Sequence, residues 1–186
     1  MGGLLALSRA IDAVTFRLGK FLGWFILAAV IVSAVNATVR FAFNMSSNAW
    51  LELQWYLFGA VFLLASAYTL QMNEHIRIDI VSSRLSKRTR DWIEVIGHIF
   101  FLMPLCLVMI YTSLPFAIRA YTTSEYSSSA GGLILWPAKI LVPLAFILLL
   151  AQAVSELIKR VAIMRGIIPD PHASQSSHHP AIEVME

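Results

Sequence analysis

The stretch from Glu52 to Asp79 most constrains what this chain can fold into. It begins with a carboxylate and ends in residues 74–79, where one Glu, one His, one Arg and one Asp lie close together. Between these charged ends, about twenty consecutive residues carry no charge, and an apolar helix of that length spans the hydrocarbon core of a bilayer. Ionisable residues collect where such a helix meets water. The stretch therefore predicts a transmembrane helix with charged ends.

Three more apolar runs repeat this pattern, which predicts an all-α membrane protein with four transmembrane helices. The 186 residues are 58% hydrophobic and 13% charged, whereas soluble domains are about half apolar and about a quarter charged. The expected spans are about 21–43, 50–72, 92–118 and 137–159, within one membrane domain over 1–165. The remaining residues, 166–186, have the composition of a disordered C-terminal tail.

Two flanking segments predict further helices. Apolar residues recur at helical spacing over 4–18, which indicates an N-terminal amphipathic helix that either lies on the membrane or extends the first span. The charged connector 73–90 predicts a short interfacial helix between spans two and three, because an open strand edge would leave backbone groups unpaired in lipid. Ser86 is a candidate N-cap for the third span, and Pro104 and Pro115 predict a kink within it.

The distribution of positive charge predicts the orientation of the spans. Four spans place both termini and the connector on one side, and that side carries eleven of the 14 Lys and Arg residues. The other side carries the remaining three, Arg40, Arg119 and Lys139. An excess of Lys and Arg marks the cytoplasmic side. Both termini are therefore expected in the cytoplasm. The basic residues border apolar runs rather than forming a separate basic domain, so no nucleic-acid partner is expected.

Few groups inside the spans could carry chemistry. Arg40 and Glu52 flank the same short outer turn, so an ion pair between them would tie spans one and two together; alternatively, Glu52 faces a transport path or a partner subunit. Gln152 and Glu156 are interpreted as a helix end entering the headgroups. No nucleophile with a paired base and no metal-ligand spacing is present in the sequence.

Two histidines raise the question of a haem. His98 lies two helical turns inside span three and His75 lies at the inner end of span two, so a bis-histidine site is one possibility. Axial ligands must face each other at one depth, whereas His75 belongs to the connector and His98 lies roughly 10 Å along its helix from Asp91. A hydrogen bond from His98 to a neighbouring helix is the preferred interpretation.

Several short sequences resemble one transporter family. They are ELQWYLF at 52–58, AYTL at 67–70, HIRID at 75–79, SSSAGG at 127–132, WP at 136–137, ILVPLAF at 140–146 and SELI at 155–158. Together with the four-span layout, they resemble the small permease subunit of tripartite ATP-independent periplasmic (TRAP) transporters, the DctQ-like family. The similarity covers roughly 15–162.

The resemblance implies a non-enzymatic scaffold subunit of a sodium-coupled importer of organic acids in the bacterial inner membrane. It implies two protein partners, a large permease subunit and a periplasmic solute-binding protein. Membrane lipids are a further expected partner, because the basic residues Arg84, Lys87, Arg88 and Arg90 border a span where anionic headgroups lie. No cofactor is expected on this chain, because the family places the coupling sodium in the large subunit. Glu52, His75, Arg77 and Asp79 match recurrent, non-catalytic positions of the family.

Span two is the expected contact surface for the large subunit. Helices associate in lipid through close packing of small residues, and Gly59 and Ser66 are such positions. Two other functions remain open from the residues alone. One is a haem-bearing membrane subunit of a redox complex, and the other is a small stand-alone exporter that works as a homo-oligomer.

Overall fold

The structure is a computed structural model that describes residues 2–45, 47–72 and 86–169. Four helical segments in this part of the chain are long and apolar enough to cross a membrane. The predicted fold class, an all-α membrane protein with four spans, is confirmed. The helices are α1 (Gly2–Phe43), α2 (Asn48–Met72), α3 (Lys87–Gly97), α4 (Met103–Thr122) and α5 (Trp136–Met164).

The N-terminal amphipathic segment is part of the first span. α1 is one continuous α-helix of 42 residues, about twice the length that crosses the hydrocarbon core. Of the two possibilities left open by the sequence, the extension is therefore the one found. The reason lies in packing: Ser8 and Thr15 on this extension are buried against the inner half of α5.

The third span consists of α3, a π-helical turn at His98–Leu102, and α4. Pro104 is the second residue after this turn, in the first turn of α4. A proline has no N–H to donate and its ring collides with the carbonyl group four residues earlier, so a wider turn ahead of it relieves both problems. At the start of α3, the predicted N-cap is confirmed, since the Ser86 hydroxyl accepts a hydrogen bond of 3.3 Å from the Thr89 N–H.

α4 and α5 end in the same hydrogen-bonded motif. After α4, Ser124 has a φ of 46° and the Glu125 N–H donates to the Ala120 carbonyl at 3.0 Å. After α5, Gly166 has a φ of 68° and the Ile167 N–H donates to the Ala162 carbonyl at 3.0 Å. These are the bonds of a Schellman cap, which satisfies the last carbonyl groups of a helix and turns the chain away from its axis.

α5 is the central helix of the bundle, since it contacts α1, α2, α3 and α4. The buried residues of α5 are mostly small, and Ala145, Ala153 and Ala162 lie where neighbouring helices approach closely. Ala145 joins Leu22, Ala60 and Leu64 in the apolar core. Small residues allow the close backbone contact on which helix association in lipid depends.

The outer surface of the bundle is apolar. Large side chains on all four spans point away from the protein, and among them Phe62 is 80% exposed and Tyr111 is 81% exposed. Such a surface is expected where acyl chains or another membrane subunit cover the helices. The predicted connector helix lies almost entirely outside the described residues, as does most of the predicted C-terminal tail.

Candidate functional site

A buried polar cluster joins α1 to α5 near the predicted cytoplasmic face. Its centre is Asp12 on α1, whose Oδ1 accepts hydrogen bonds from Gln152 Nε2 at 2.9 Å and from Ser155 Oγ at 2.8 Å. The other carboxylate oxygen, Oδ2, accepts a bond of 3.0 Å from Lys159 Nζ. A carboxylate in this setting is stabilised because every donor around it lies on the opposite helix and points at it.

Gln152 connects this carboxylate to the rest of the cluster. Its side chain is fully buried, with 0% of the residue exposed. Its Oε1 accepts from Thr15 Oγ1 at 2.9 Å, and its Nε2 also donates to Glu156 Oε1 at 2.9 Å. The hydroxyl groups of Ser8 and Ser155 are 2.7 Å apart and complete the contact. The cluster is thus a set of mutually satisfied polar groups, which holds two helices in one register.

The sequence carries a signal for this cluster in the spacing of its polar residues. Ser8, Asp12 and Thr15 lie on one helical face, as do Gln152, Ser155, Glu156 and Lys159. The interpretation of this segment as a helix end entering the headgroups is wrong for Gln152, which is buried between helices. Glu156 is partly exposed, and for it the interpretation stays a prediction. Two polar stripes at the same predicted membrane depth indicate that both helices have partners in the protein, although they do not say that the two stripes meet each other.

A second set of charges attaches the third span to α5. Arg160 Nη1 lies 3.1 Å from Asp91 Oδ1, and Nη2 of the same guanidinium bonds to Glu94. All three side chains are largely withdrawn from solvent. One guanidinium that bridges two carboxylates of one helix fixes both the distance and the rotation between the helices.

At the opposite end of the bundle, Glu52 bonds to the loop between α4 and α5. Only 6% of Glu52 is exposed. Oε1 accepts a short hydrogen bond from the Ser127 hydroxyl, and Oε2 accepts a bond of 2.6 Å from the Leu133 N–H. The predicted ion pair with Arg40 is therefore not formed; the carboxylate ties α2 to the outer loop instead of to α1.

This outer loop, residues 123–135, has a defined shape. Tyr126 and Ile134 form an antiparallel bridge, and Tyr56 on α2 donates its hydroxyl to the Ile134 carbonyl at 3.1 Å. Gly132 is required by the close approach, because a Cβ atom there would lie 2.8 Å from Glu52 Oε1. Asn48 Nδ2 bonds to the Ala130 carbonyl at 2.9 Å. Four contacts with α2 thus hold the loop, and its tip at 128–131 is exposed.

The other predicted site residues lie in several places. Arg40 lies in the last turn of α1 beside an open groove. Gly59 lies on a part of α2 that no other helix covers closely, since an added Cβ atom there would meet nothing within 4 Å. Ser66 is partly buried and bonds to its own helix, at 2.7 Å from the Leu63 carbonyl. His75, Arg77 and Asp79 lie outside the described residues.

His98 bonds within its own helix rather than to a neighbour. Its Nδ1 lies 2.8 Å from the Glu94 carbonyl oxygen, and its Nε2 is buried without a hydrogen-bond partner in the described part of the chain. The prediction of a hydrogen bond to a neighbouring helix is wrong, because Nδ1 bonds to its own helix and no described residue of another helix pairs with Nε2. Across residues 2–45, 47–72 and 86–169, no group of three or more His, Cys, Asp or Glu side chains is arranged to hold a metal ion.

These features define a class of protein: a multi-pass helical membrane protein whose buried polar side chains bond mainly to one another. Comparison with family models then identifies the family. The chain matches the model described as tripartite ATP-independent periplasmic transporters, DctQ component, over residues 29–162. Because this match covers most of the chain, the protein belongs to the DctQ family and is a small TRAP transporter subunit, not an enzyme. No curated protein and no solved structure matches the chain.

Proposed function

We propose that this chain is the static scaffold subunit of a sodium-coupled TRAP importer of organic acids. In this role it braces the large permease subunit, which carries the substrate and sodium sites, and it helps dock the periplasmic solute-binding protein. The transporter lies in the bacterial inner membrane, with both termini of this chain in the cytoplasm. The family supports the substrate class and the coupling ion, and the excess of Lys and Arg on one side supports the orientation.

The scaffold role is supported above all by the polar groups inside the bundle, which bond to one another. Gln152, Ser155 and Asp12 bond to each other across α1 and α5. A transport site instead needs polar groups that converge on a ligand, with broken helices whose ends face it. Groups that are saturated by their neighbours hold helices together, which is what a brace requires.

Uptake into liposomes tests which of the three components are needed for transport. The chain alone is expected to give no sodium-dependent uptake of organic acids. Uptake is expected when the large subunit and the binding protein are added, and it is expected to be lost again when this chain is omitted. Robust sodium-dependent uptake by the isolated chain would contradict the scaffold role, and so would full activity of the other two components without it.

The contact surface on α2 can be tested separately. A Cβ atom added at Gly59 meets nothing within 4 Å, so Gly59→Leu places its first side-chain atom in open space of the isolated chain, and a loss of co-purification reports on a partner. We expect Gly59→Leu and Ser66→Leu to reduce co-purification with the large subunit. Gly23→Leu is the matched control, because Gly23 on α1 is equally unobstructed. Unchanged yield for both α2 variants would remove α2 from the interface.

The loop tip at 128–131 is the proposed contact with the binding protein, since it is exposed and its base is held by Glu52 and Tyr56. A preformed loop loses little conformational entropy on docking. The variant Ala130→Lys in the assembled transporter is expected to raise the binding-protein concentration needed for half-maximal uptake, with little change in the maximal rate. A lower maximal rate at unchanged half-saturation would contradict docking at this tip.

A further inference from the structure

A polar groove lies between the outer ends of α1 and α2, away from the contacts described above. It has a volume of about 540 Å³. It is lined by Ser33, Asn36, Ala37, Arg40, Phe41, Asn44, Leu51 and Gln54. The α1 residues follow helical spacing, so they form one continuous stripe that faces α2 along the groove.

The groove carries a positive charge without a matching negative one. Arg40 is exposed in the last turn of α1, and no carboxylate is among the lining residues. Glu52, its nearest candidate partner by sequence, is bonded to the outer loop. In the described part of the chain, no ion pair reaches Arg40. An anion is therefore the ligand that this groove is equipped to bind.

The neighbouring groups suit a phosphate. A guanidinium presents paired N–H donors that match phosphate oxygens. The side-chain amides of Asn36, Asn44 and Gln54 and the hydroxyl of Ser33 supply further donors and acceptors around the same space. These groups can bond to a phosphodiester and to the hydroxyl groups of a polar headgroup at the same time.

Below the groove, the same two helical faces become apolar. On α1, Ile26 and Val30 continue the stripe toward the middle of the membrane, and both are exposed. On α2, Phe58 and Phe62 continue it from Gln54, and Phe62 is 80% exposed. A polar groove with an apolar strip beneath it matches an amphiphile that stands along the membrane normal.

We propose that this groove is a binding site for a phospholipid of the outer leaflet. Arg40 bonds to the phosphodiester, and the acyl chains lie along the strip formed by Ile26, Val30, Phe58 and Phe62. The lining has no carboxylate to pair with an ammonium group. A headgroup with net negative charge, such as phosphatidylglycerol, is therefore preferred over phosphatidylethanolamine.

The test measures lipid binding by the full chain in detergent micelles, using native mass spectrometry with phosphatidylglycerol and phosphatidylethanolamine of identical acyl chains. Arg40→Gln is expected to weaken binding of phosphatidylglycerol about tenfold, since a charge-assisted contact is lost. Arg119→Gln is the matched control: Arg119 also lies exposed in the last turn of a helix, α4, and is not part of the groove lining. We expect it to change binding less than about twofold.

Two further variants separate the parts of the site. Arg40→Lys keeps the charge but not the paired donors and is expected to retain an intermediate affinity. Phe62→Ala is expected to weaken both lipids alike, because it touches only the acyl strip. Circular dichroism confirms that each variant is folded. Equal effects of Arg40→Gln and Arg119→Gln, or equal affinity of the unsubstituted chain for the two lipids, would overturn the proposal.

A carboxylate of the large subunit is the competing ligand for Arg40. If a carboxylate fills the groove, Arg40→Gln lowers the yield of the two-subunit complex and leaves phosphatidylglycerol binding by the isolated chain unchanged. That pair of results would overturn the lipid site. The proposal does not depend on the transport role, since lipid binding is measured without uptake.

Discussion

The two ends of the bundle use carboxylates in different ways. At the inner end, Asp12 bonds to side chains of α5, so the contact joins one helix directly to another. At the outer end, Glu52 bonds to the Ser127 hydroxyl and to the backbone of Leu133, so the contact joins a helix to a loop. The first contact fixes the bundle, and the second fixes the shape of a surface.

The Asp12 contact therefore contributes mainly to the stability of the bundle, whereas the Glu52 contact mainly shapes a surface that a partner can recognise. Loss of an interhelical polar contact leaves a buried group unpaired between two helices, which costs free energy of the whole fold. Loss of a helix-to-loop contact frees a segment that water can solvate, which costs much less globally but removes a preformed surface.

The largest effect is expected for Gln152→Leu. The change removes the bonds to Asp12, Thr15 and Glu156 and should lower the free energy of unfolding in detergent by about 2–4 kcal/mol. Gln54→Leu is the matched control; Gln54 lines the open groove, and the same exchange there should cost less than about 0.5 kcal/mol. Thermal unfolding of both variants measures the two losses of stability. Equal losses would show that the polar cluster around Gln152 contributes no more to stability than an exposed glutamine does.

Gly19→Ala should have the next largest effect. An added Cβ atom would lie 2.3 Å from Tyr68 Cδ2 and 2.4 Å from Cγ, and Cγ moves only if the whole side chain changes rotamer. We expect a loss of about 1–3 kcal/mol. Gly23→Ala, one helical turn further along α1, meets nothing within 4 Å and should be neutral or stabilising by up to about 1 kcal/mol. A stabilising Gly19→Ala would show that α1 and α2 are less closely packed here.

Glu52→Ala should act on the outer loop and leave the bundle intact. Amide exchange at Leu133 is expected to accelerate about 100-fold, because the bond to Oε2 is lost and such charge-assisted bonds are worth about 1.5–3 kcal/mol. Glu125→Ala removes a loop carboxylate that bonds instead to Lys139 and should leave Leu133 protected. If Glu52→Ala lowered the unfolding temperature as much as Gln152→Leu, the carboxylate contacts at the two ends would contribute equally to the stability of the bundle.

Tyr56→Phe should have the smallest effect. It removes one bond of 3.1 Å to the Ile134 carbonyl and should cost about 0.5–1 kcal/mol of local stability. The loop then keeps its bonds to Glu52, and protection of Leu133 should persist. Hydrogen exchange at residues 133–135 separates this variant from Glu52→Ala; identical exchange in both would mean that the loop opens as a single unit.

The sequence predicted the spans well and the polar contacts poorly. Apolar runs and the N-cap at Ser86 are local features, so the four-span fold and the start of α3 followed from the residues alone. The partner of Glu52 did not follow, because Ser127 and Leu133 lie about eighty positions away and come close only when α2 packs beside the outer loop. Arg40 was nearer in sequence, and sequence proximity suggested the wrong partner.

The sequence by itself determined that this chain crosses a membrane four times and resembles a transporter subunit. Both conclusions depend on the lengths of apolar runs and on short sequences, which can be recognised without knowledge of tertiary contacts. Only the tertiary structure decided which polar groups meet. In lipid, the free energy of a polar side chain depends on whether a partner from another helix reaches it. Asp12 on α1 and Gln152 on α5 are each other's partners, and the residue pattern of one helix does not identify its partner on another.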